Sequence, residues 1–561
     1  MNTFQQNLNI VIVGGVAGGA SAAARARRMN EHANIVLLEK DHHVSFANCG
    51  LPYYLGGEIA DRAKLTVASA ELLRQRFRID VRPRHEAIRI DRANKTVRVH
   101  NHVAGEELDL PYNKLILAPG ARPIVPEIPG KELPGVFTLR NLDDTDAIHD
   151  HLEGLEQQRA LVVGAGYIGL EMAEQLRVRG MHVTLVERAP QVLALMDPEM
   201  ATPIAEELQR QGIDLRVRDE VVAIEQQGQT LTATLKSSET VAVGAVIFGV
   251  GVIPNTKLAE DAGLELGSTR GITVDRFMRT SDPDIYAVGD AVEYAYGPTG
   301  NPMRIALAGP ANRAGRIAGT HAATGDASPM GDVFGTSIVR VFSVTAGLAG
   351  LTNRSAERFG IPMQTVTVIA NHHAGYFPGA KPVTLKLAYA PTTGRVLGTQ
   401  AVGAEGIDKR LDVIATLMAM KGTVRDLANL DLAYAPPFGS AKDVLHMAAF
   451  AACNALDGSD TFADSDSDLT PYQLVDVRTP SEVAKAPLRA GEHAINIPVD
   501  DLRDRLNELD PSKPTIVTCA SGVRSHVAAR LLAQHGFRNI LELAGGATVR
   551  NRSNVCEHAN A

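Results

Sequence analysis

The chain has 561 residues, which at about 150 residues per domain predicts three to four domains and excludes a single small binding module. With 45% hydrophobic and 21% charged residues it is neither disordered nor fibrous, and its net charge of −8 disfavours a nucleic-acid partner. No apolar stretch reaches the roughly 20 residues of a membrane helix, and no basic signal-peptide start is present, so we expect a cytoplasmic protein without a membrane span.

The cysteine pattern points to thiol chemistry. Cys49, Cys453, Cys519 and Cys556 lie far apart and form no C-x-x-C pair, which excludes a disulfide framework and a zinc cluster. The adjacent histidines at 42–43 and 372–373 have no acidic partner at ligand spacing, so we assign no metal.

Two segments share one pattern. The first reads NIVIVGGVAGGASAAARARR followed by NIVLLEK, and the second reads RALVVGAGYIGLEMAEQLRVRG followed by HVTLVER. Each is a β-branched run, a glycine turn, a helix-period segment and a second strand that ends in glutamate. This order predicts a βαβ unit, present twice.

The glycines leave room for a pyrophosphate at a helix N-terminus, where free N–H groups receive it. The second unit has the complete G-x-G-x-x-G motif, with a ribose-binding glutamate at its end: Gly164, Gly166, Gly169 and Glu187. The first unit has Val16 at the middle position, and its candidate residues are Gly14, Gly15, Gly18, Gly19 and Glu39. Glu187 would repel a 2′-phosphate, which predicts NADH, although the neighbouring Arg188 leaves NADPH possible.

Two further segments suggest a family. TSDPDIYAVGDAVE places Asp290 after a short strand and a glycine, and LILAPGARP lies at Leu115–Pro123. With the two βαβ units, they resemble the flavoprotein disulfide reductase superfamily over residues 8–330.

The resemblance implies an α/β fold with two Rossmann-like domains. An FAD-binding domain would span 1–149 and 257–330, with Asp290 on the ribityl chain, and an NAD(P)H-binding domain would span 150–256. An α+β dimerisation domain would follow at 331–455, which implies a homodimer.

Cys49 marks a redox centre in the segment DHHVSFANCGLPYYLGG. Two-cysteine reductases use a C-x₄-C pair, but Tyr54 stands five positions after Cys49. A single thiol then cycles through a sulfenic acid, a mixed disulfide or a persulfide. SFANCG and GLPYY resemble the coenzyme A-disulfide reductase group. NADH oxidases and peroxidases of the superfamily carry a histidine in the first glycine turn, which GGVAGG lacks, so sulfur chemistry is favoured.

The same resemblance implies contacts to coenzyme A. Ser45, Asn48 and Arg28 match contact positions, Ser21 and Arg25 lie on the same predicted helix as Arg28, and Lys442 matches a residue that reaches a coenzyme A phosphate. A solvated helix face is the alternative for the two arginines.

Two tyrosines enter by resemblance alone. HHAGYFPGA and LDLAYAPPFGSAKD match segments in which the family sends two tyrosines across the dimer to the partner's cysteine, which makes Tyr376 and Tyr434 candidate catalytic residues that stabilise a leaving thiolate. Core or interface packing is the alternative for each tyrosine.

The chain ends in a second sulfur centre. DGSDTFADSDSDLTP predicts a polar linker over 456–470, and short strands then alternate with helices over 471–561. Thr515–Thr518 is a predicted strand, CASGVR a six-residue loop from Cys519 to Arg524, and SHVAARLLAQHG a helix. Backbone N–H groups at a helix N-terminus, with an arginine near, favour a thiolate at Cys519.

This tail resembles a single-domain rhodanese in C-x-x-G-x-R-S, in DVR at 476–478 and in HAINIP. Phosphatases of that fold have a loop one residue longer, so the shorter loop favours sulfane sulfur. Cys519 and Arg524 are the candidate catalytic residues. A relay or redox-sensing module without turnover is the alternative, and we expect Cys453 and Cys556 to be structural.

The complete pattern resembles coenzyme A-disulfide reductases and NADH-dependent persulfide reductases with a C-terminal rhodanese domain. It predicts FAD-dependent, NADH-driven reduction of coenzyme A persulfide, other persulfides or polysulfide, with release of sulfide. Two alternatives stay open: a coenzyme A-disulfide reductase with an independent sulfurtransferase domain, and an NADH oxidase or peroxidase.

Overall fold

A computed structural model describes residues 8–552, so Cys556 lies outside the described residues. The described chain divides into two compact units, one comprising the residues up to Val186 with Glu220–Gly335, the other comprising Glu187–Asp219 with the residues from Thr336. None of the helices within 8–552 is both long enough and apolar enough to cross a membrane.

The helices and strands follow in chain order. The helices are α1 (Ala17–Met29), α2 (Leu51–Leu55), α3 (Ala70–Phe77), α4 (Leu142–Glu153), α5 (Tyr167–Val178), α6 (Pro198–Arg210), α7 (Lys257–Asp261), α8 (Ala308–Thr324), α9 (Asn353–Phe359), α10 (Ile407–Ala419), α11 (Val424–Ala428), α12 (Val444–Leu456), α13 (Pro480–Lys485), α14 (Val523–Gln534) and α15 (Gly546–Arg552). Short 3-10 helices lie at Asn48–Gly50, Arg62–Leu65 and Leu506–Glu508. The strands are β1 (Asn9–Val13), β2 (Asn34–Leu38), β3 (Asp80–Arg82), β4 (His85–Asp91), β5 (Thr96–Asn101), β6 (Glu106–Pro111), β7 (Lys114–Leu117), β8 (Ala121–Pro123), β9 (Val136–Thr138), β10 (Arg159–Val163), β11 (His182–Glu187), β12 (Asp214–Val217), β13 (Val221–Gln227), β14 (Thr230–Leu235), β15 (Thr240–Val243), β16 (Ala245–Phe248), β17 (Val252–Pro254), β18 (Ile272–Thr273), β19 (Ile285–Ala287), β20 (Val292–Ala295), β21 (Pro302–Arg304), β22 (Ser337–Val341), β23 (Val344–Gly350), β24 (Gln364–Asn371), β25 (Pro382–Tyr389), β26 (Val396–Gly403), β27 (Phe462–Ala463), β28 (Gln473–Asp476), β29 (Ile495–Asn496), β30 (Thr515–Thr518) and β31 (Ile540–Leu543).

Two parallel sheets of the first unit contain the predicted βαβ units. The first has the strand order β19-β7-β1-β2-β3, and β1 leads directly into α1. In the second, β10 pairs with β11 and β16, and β16 pairs with β9. Both central strands are buried β-branched runs, as a parallel sheet covered on both faces requires.

Helix α8 packs against α1 through small residues. A Cβ atom added at Gly315 would lie 2.3 Å from the carbonyl oxygen of Gly18, and one at Gly319 would lie 2.4 Å from that of Ala22. This close packing fixes the helix that starts at the first glycine turn.

The second unit contains a five-stranded antiparallel sheet with the order β22-β23-β26-β25-β24. Lys386 on β25 is buried and lies 2.7 Å from an Asp197 carboxylate oxygen and 2.6 Å from a Glu199 carboxylate oxygen. The two carboxylates balance the buried ammonium group, which joins the start of α6 to this sheet.

The C-terminal part of the second unit is a five-stranded parallel sheet, β27-β31-β30-β28-β29. The structure differs here from the predicted linker over 456–470, because β27 pairs with β31 and both Ala463 and Leu469 lie in the core of this sheet. Two apolar residues anchor a stretch whose overall composition is polar.

Candidate active site

The first glycine turn brings its predicted glutamate to the start of α1. Glu39, at the end of β2, is 6% exposed, and its two carboxylate oxygens accept hydrogen bonds from the N–H groups of Gly15 (2.8 Å) and Asp41 (3.0 Å). Burial raises the pKa of Glu39, although these two hydrogen bonds oppose the shift. Gly14 has φ +95°, and a Cβ there would lie 2.0 Å from the Ala118 carbonyl oxygen, so this turn requires glycine.

Helices α1 and α5 both begin without a side-chain cap. The second turn has Gly166 at the N-cap of α5, where an added Cβ would meet no atom within 4 Å. Neither N-cap residue thus covers its helix start with a side chain, as a pyrophosphate site needs. In the other unit, a Glu187 carboxylate oxygen accepts a hydrogen bond of 2.7 Å from the Ala189 N–H.

Cys49 lies in the 3-10 helix Asn48–Gly50, directly before α2. The Asn48 side chain donates to the Arg140 carbonyl oxygen at 3.0 Å, and the Arg140 guanidinium lies 3.6 Å from an Asp290 carboxylate oxygen. Predicted residues that are far apart in sequence, Asn48, Cys49 and Asp290, thus meet around Arg140.

The electrostatic surroundings of Cys49 favour the thiol. Although the residue is exposed, desolvation by the surrounding atoms raises its pKa, the carboxylates of Glu171 and Asp290 add to the shift, and Arg140 opposes it. Glu171 also accepts a hydrogen bond of 3.2 Å from the Tyr53 hydroxyl. A thiolate here needs stabilisation beyond that of these side chains.

Two predicted coenzyme A contacts lie between α1 and α8. The Ser21 hydroxyl donates to the Asn312 side-chain oxygen at 2.5 Å, and the Arg25 guanidinium donates to the Thr320 hydroxyl at 2.9 Å. Burial lowers the pKa of Arg25, and the nearby cations of Arg316 and Arg28 lower it further. Two further guanidinium groups therefore act on Arg25, and a cluster of cations favours the approach of an anion.

The sequence analysis missed the α8 side of this site. Asn312, Arg316 and Thr320 have the four-residue spacing of Ser21 and Arg25, so each set lies on one helix face. The spacing alone does not indicate a shared site, because the sequence does not show that α8 packs against α1.

The other predicted contacts make different hydrogen bonds. Ser45 has φ +46° and donates its N–H to the Gly15 carbonyl oxygen at 2.8 Å, while Arg28 bonds its own helix at the Ala24 carbonyl oxygen at 3.0 Å. Lys442 is exposed just before α12 in the second unit.

The structure pairs the two predicted tyrosines. The hydroxyls of Tyr376 and Tyr434 are 2.9 Å apart, and the residues are 75% and 49% exposed. The hydrogen bond to Tyr434 raises the pKa of Tyr376. Phe438 is 72% exposed on the same loop as Tyr434, so this face of the unit is aromatic and accessible.

Cys519 lies at the end of β30 and is 1% exposed. Its sulfur accepts the Gly522 N–H at 3.1 Å and lies 3.6 Å from the Ser525 hydroxyl oxygen. The loop is shorter than the predicted six residues, because α14 begins at Val523. Gly522 is the N-cap residue of this helix and has a φ of +108°, which favours glycine. The predicted N–H contact is therefore present, and Arg524 lies within the first turn of α14.

The structure pairs Arg524, predicted to lie near the thiolate, with a carboxylate. Its guanidinium donates to both carboxylate oxygens of Glu482, at 2.8 and 2.7 Å. Arg478 is buried and paired with Asp476, to whose carboxylate it donates at 2.6 to 3.0 Å.

Comparison with known proteins identifies the chain. The model of the pyridine nucleotide-disulphide oxidoreductase family matches residues 8–325, that of its dimerisation domain matches 336–445, and that of the rhodanese-like domain matches 461–549. The chain belongs to the pyridine nucleotide-disulphide oxidoreductase family.

Similar proteins share most of its length. Coenzyme A disulfide reductase of Staphylococcus aureus is 38% identical over 443 residues, which cover 79% of this chain and 99% of that protein. The crystal structure of reduced Bacillus anthracis CoADR-RHD has a TM-score of 0.95 at 41% identity, covering 98% of this chain and 99% of that one. The NAD-dependent persulfide reductase of A. fulgidus has a TM-score of 0.90 at 36% identity, covering 97% and 100%. The predicted family and fold class are confirmed.

Membership of this oxidoreductase family implies FAD and NAD(H), and the residues fit FAD. Glu39 and Asp290 offer carboxylate acceptors for sugar and ribityl hydroxyls, and burial raises the pKa of Asp290 although Arg140 and Arg304 oppose the shift. The uncapped start of α1 suits a pyrophosphate. These residues would hold FAD, which would supply two-electron transfer from NADH.

One cluster that the sequence analysis missed contains Asp460, His526 and Glu542. The His526 Nδ1 atom lies 3.2 Å from an Asp460 carboxylate oxygen and 3.1 Å from a Glu542 carboxylate oxygen. Hydrogen bonds to Asp460 and Glu542 raise the pKa of His526 to about 10. We interpret the cluster as an imidazolium ion pair that attaches α14 to β31 and to Asp460, which lies two residues before β27.

Proposed function

We propose that this oxidoreductase catalyses FAD-dependent, NADH-driven reduction of sulfane sulfur in coenzyme A persulfide, other persulfides or polysulfide, and releases sulfide. The observation that carries the proposal is the presence of two different thiol sites in one chain. Cys49 is exposed and lies near Asp290, the candidate ribityl contact, whereas Cys519 is enclosed by a loop whose Gly522 N–H meets its sulfur. A reductase needs the first site, and a sulfur acceptor needs the second.

The Cys49 reaction balances as NADH + H⁺ + RSSH → NAD⁺ + RSH + H₂S. In the first step the Cys49 thiolate attacks the outer sulfur of the persulfide, the donor S–S bond breaks, and RS⁻ leaves. Two electrons and a proton then cleave the new Cys49–sulfur bond and release hydrogen sulfide. Glu171 and Asp290 disfavour the regenerated Cys49 thiolate, so they favour its uptake of a proton once sulfide has left.

The chain's cations would recruit the substrate. Coenzyme A carries phosphates, and Arg25, Arg28 and Arg316 form a cationic site between α1 and α8. We propose that this site binds the nucleotide end, with Ser45 and Asn48 as further contacts, while the role of Lys442 stays a prediction. Asn48 then positions the thiol end, since it lies next to Cys49 and is held by Arg140.

We propose that Cys519 takes sulfane sulfur from donors and passes it to a small thiol. The Gly522 N–H stabilises negative charge on the sulfur.

We also propose a homodimer, supported by the matched dimerisation domain, in which Tyr376 and Tyr434 act at the partner's cysteine. NADH is the proposed reductant because the Glu187 carboxylate disfavours a 2′-phosphate.

A second candidate is coenzyme A-disulfide reduction with an independent sulfurtransferase domain. The similarity to the coenzyme A disulfide reductase of Staphylococcus aureus favours it, although that relative aligns with only 79% of this chain.

The test compares substrates under anaerobic conditions. NADH oxidation and sulfide release are measured with coenzyme A persulfide, polysulfide and coenzyme A disulfide, for the intact protein and for Cys49→Ser, Cys519→Ser and Cys453→Ser. We expect one sulfide per NADH with the persulfide, loss of turnover in Cys49→Ser, and slower polysulfide reduction in Cys519→Ser. Cys453→Ser is the matched control, since Cys453 lies within α12. Turnover on the disulfide alone, unaffected by Cys519→Ser, would establish the second candidate instead.

A further inference from the structure

The loop around Cys519 contains an arginine whose positive charge is balanced by a neighbouring carboxylate. CASGVR supplies one charged side chain, Arg524, and the guanidinium is close enough to interact electrostatically with the Cys519 sulfur. Two nitrogen atoms of this guanidinium donate hydrogen bonds to the two carboxylate oxygens of Glu482, at 2.8 and 2.7 Å. Such a two-pronged pair is among the strongest and most directional ion pairs in proteins.

Glu482 is held in place independently of Arg524. One of its carboxylate oxygens accepts the Thr479 N–H at 3.0 Å and the Thr479 hydroxyl at 2.9 Å, in the capping box of α13. The hydrogen bond from Arg524, followed by those from Thr479, keeps the pKa of Glu482 well below its usual range. The carboxylate is therefore ionised at physiological pH and balances the guanidinium charge.

The remaining contacts of the Cys519 sulfur are uncharged. They are the Gly522 N–H at 3.1 Å and the Ser525 hydroxyl at 3.6 Å. This environment treats the two common kinds of sulfane sulfur donor differently. Thiosulfate is a dianion that leaves as sulfite, also a dianion, whereas a persulfide leaves as a singly charged thiolate. A site without net positive charge does little to stabilise the two negative charges of thiosulfate or of the departing sulfite.

We propose that Glu482 determines donor specificity by holding Arg524 in a neutral pair, so that Cys519 accepts sulfur from persulfides and discriminates against thiosulfate. With a persulfide, the thiolate attacks the terminal sulfur: Cys519–S⁻ + RS–SH → Cys519–S–SH + RS⁻. With thiosulfate, the corresponding step is Cys519–S⁻ + S–SO₃²⁻ → Cys519–S–S⁻ + SO₃²⁻. Both steps conserve charge, and only the second needs a cation for its leaving group.

This inference rests on the proposed role of Cys519 as a sulfur acceptor, and its test avoids NADH and Cys49. Holoenzyme carrying Cys49→Ser is mixed with glutathione persulfide or thiosulfate, and the addition of one sulfur atom to the protein is followed by intact-protein mass spectrometry. For Glu482→Gln, which preserves the capping box, we expect the ratio of thiosulfate to persulfide loading rates to rise about tenfold. The rise should shrink at about 1 M salt, because an exposed charge is then screened.

Two further variants separate charge from general damage. Glu508→Gln removes the partner of Arg505 in the same domain and should leave the ratio unchanged. Adding Arg524→Gln to Glu482→Gln should abolish the gain.

The inference would be overturned by intact protein that prefers thiosulfate, or by a ratio that does not change in Glu482→Gln. Both of those outcomes leave the proposed sulfur transfer standing. Loading by neither donor would overturn the inference together with the role proposed for Cys519.

Discussion

At the residue scale, the two sulfur sites differ in the charges around them. Carboxylates surround Cys49, whereas a backbone N–H meets the sulfur of Cys519. Removing a negative charge near Cys49 should therefore lower the pKa of its thiol. We expect Glu171→Gln to increase the rate of Cys49 alkylation by iodoacetamide at pH 7, measured on the holoenzyme by mass spectrometry.

The matched control for this prediction is Glu153→Gln, which changes an exposed carboxylate paired with Arg179 in the same unit. It should leave the alkylation rate unchanged. Equal rates for Glu171→Gln and the intact protein would show that Glu171 does not govern the thiol.

At the element scale, two glycines of the second glycine turn have different roles, one in packing and one in binding. An added Cβ at Gly169 would lie 1.8 Å from the Gly164 carbonyl oxygen, whereas one at Gly166 would meet no protein atom within 4 Å. We expect Gly169→Ala to cost about 3 kcal/mol of stability and to lower the midpoint of thermal unfolding. Gly166→Ala should unfold at the normal temperature but raise the KM for NADH about tenfold, because its methyl group enters the pyrophosphate site. Identical behaviour of the two variants would contradict this division.

A second prediction at this scale concerns the ion pair that joins α14 to β31. The pKa of His526 is about 10 in the folded protein and about 6.5 in an unfolded chain. Because the folded value is higher, the stabilisation is complete below about pH 6.5 and is lost as the pH rises to about 10. The His526 side chain is 40% exposed, so after allowance for screening we expect His526→Gln to cost about 1 kcal/mol at pH 6.

Thermal unfolding at several pH values checks this prediction. The difference between His526→Gln and the intact protein should vanish above pH 10. His535→Gln, which changes a histidine bonded to the Leu531 carbonyl oxygen on the same helix, is the control and should show no such pH dependence. A deficit that is constant with pH would indicate packing rather than charge.

The elements that the sequence predicted are those with local causes. Glycine turns and β-branched strands follow from neighbours within a few residues. The pairs Arg524–Glu482 and Arg25–Thr320 join residues 42 and 295 positions apart, so no local pattern indicates them. The strand β27 was not predicted for a related reason. Its two apolar residues lie in a polar stretch and form a strand only because they pair with the edge of β31.

At the scale of the whole molecule, we expect a solution mass of two chains. The exposed aromatic face at Tyr376, Tyr434 and Phe438 is typical of an interface. Phe438→Asp should shift the mass measured by light scattering toward one chain, because it places a charge on a surface that becomes buried. Val103→Asp changes an apolar residue that is 75% exposed in the other unit and should leave the mass unchanged. A dimer that persists in Phe438→Asp would place the interface elsewhere.

The early start of the C-terminal sheet limits how the chain can transport sulfur. Helix α12 ends at Leu456 and β27 begins at Phe462, so the intervening residues 457–461 span at most about 17 Å when extended. Carrier proteins that deliver a group by swinging an arm need a far longer flexible tether. Under the proposed function, we expect sulfur accepted by Cys519 to leave as a low-molecular-weight persulfide that diffuses to its acceptor. The steady-state rate of polysulfide reduction should accordingly rise with added coenzyme A until the thiol saturates, and a rate independent of added thiol would mean direct transfer between the cysteines.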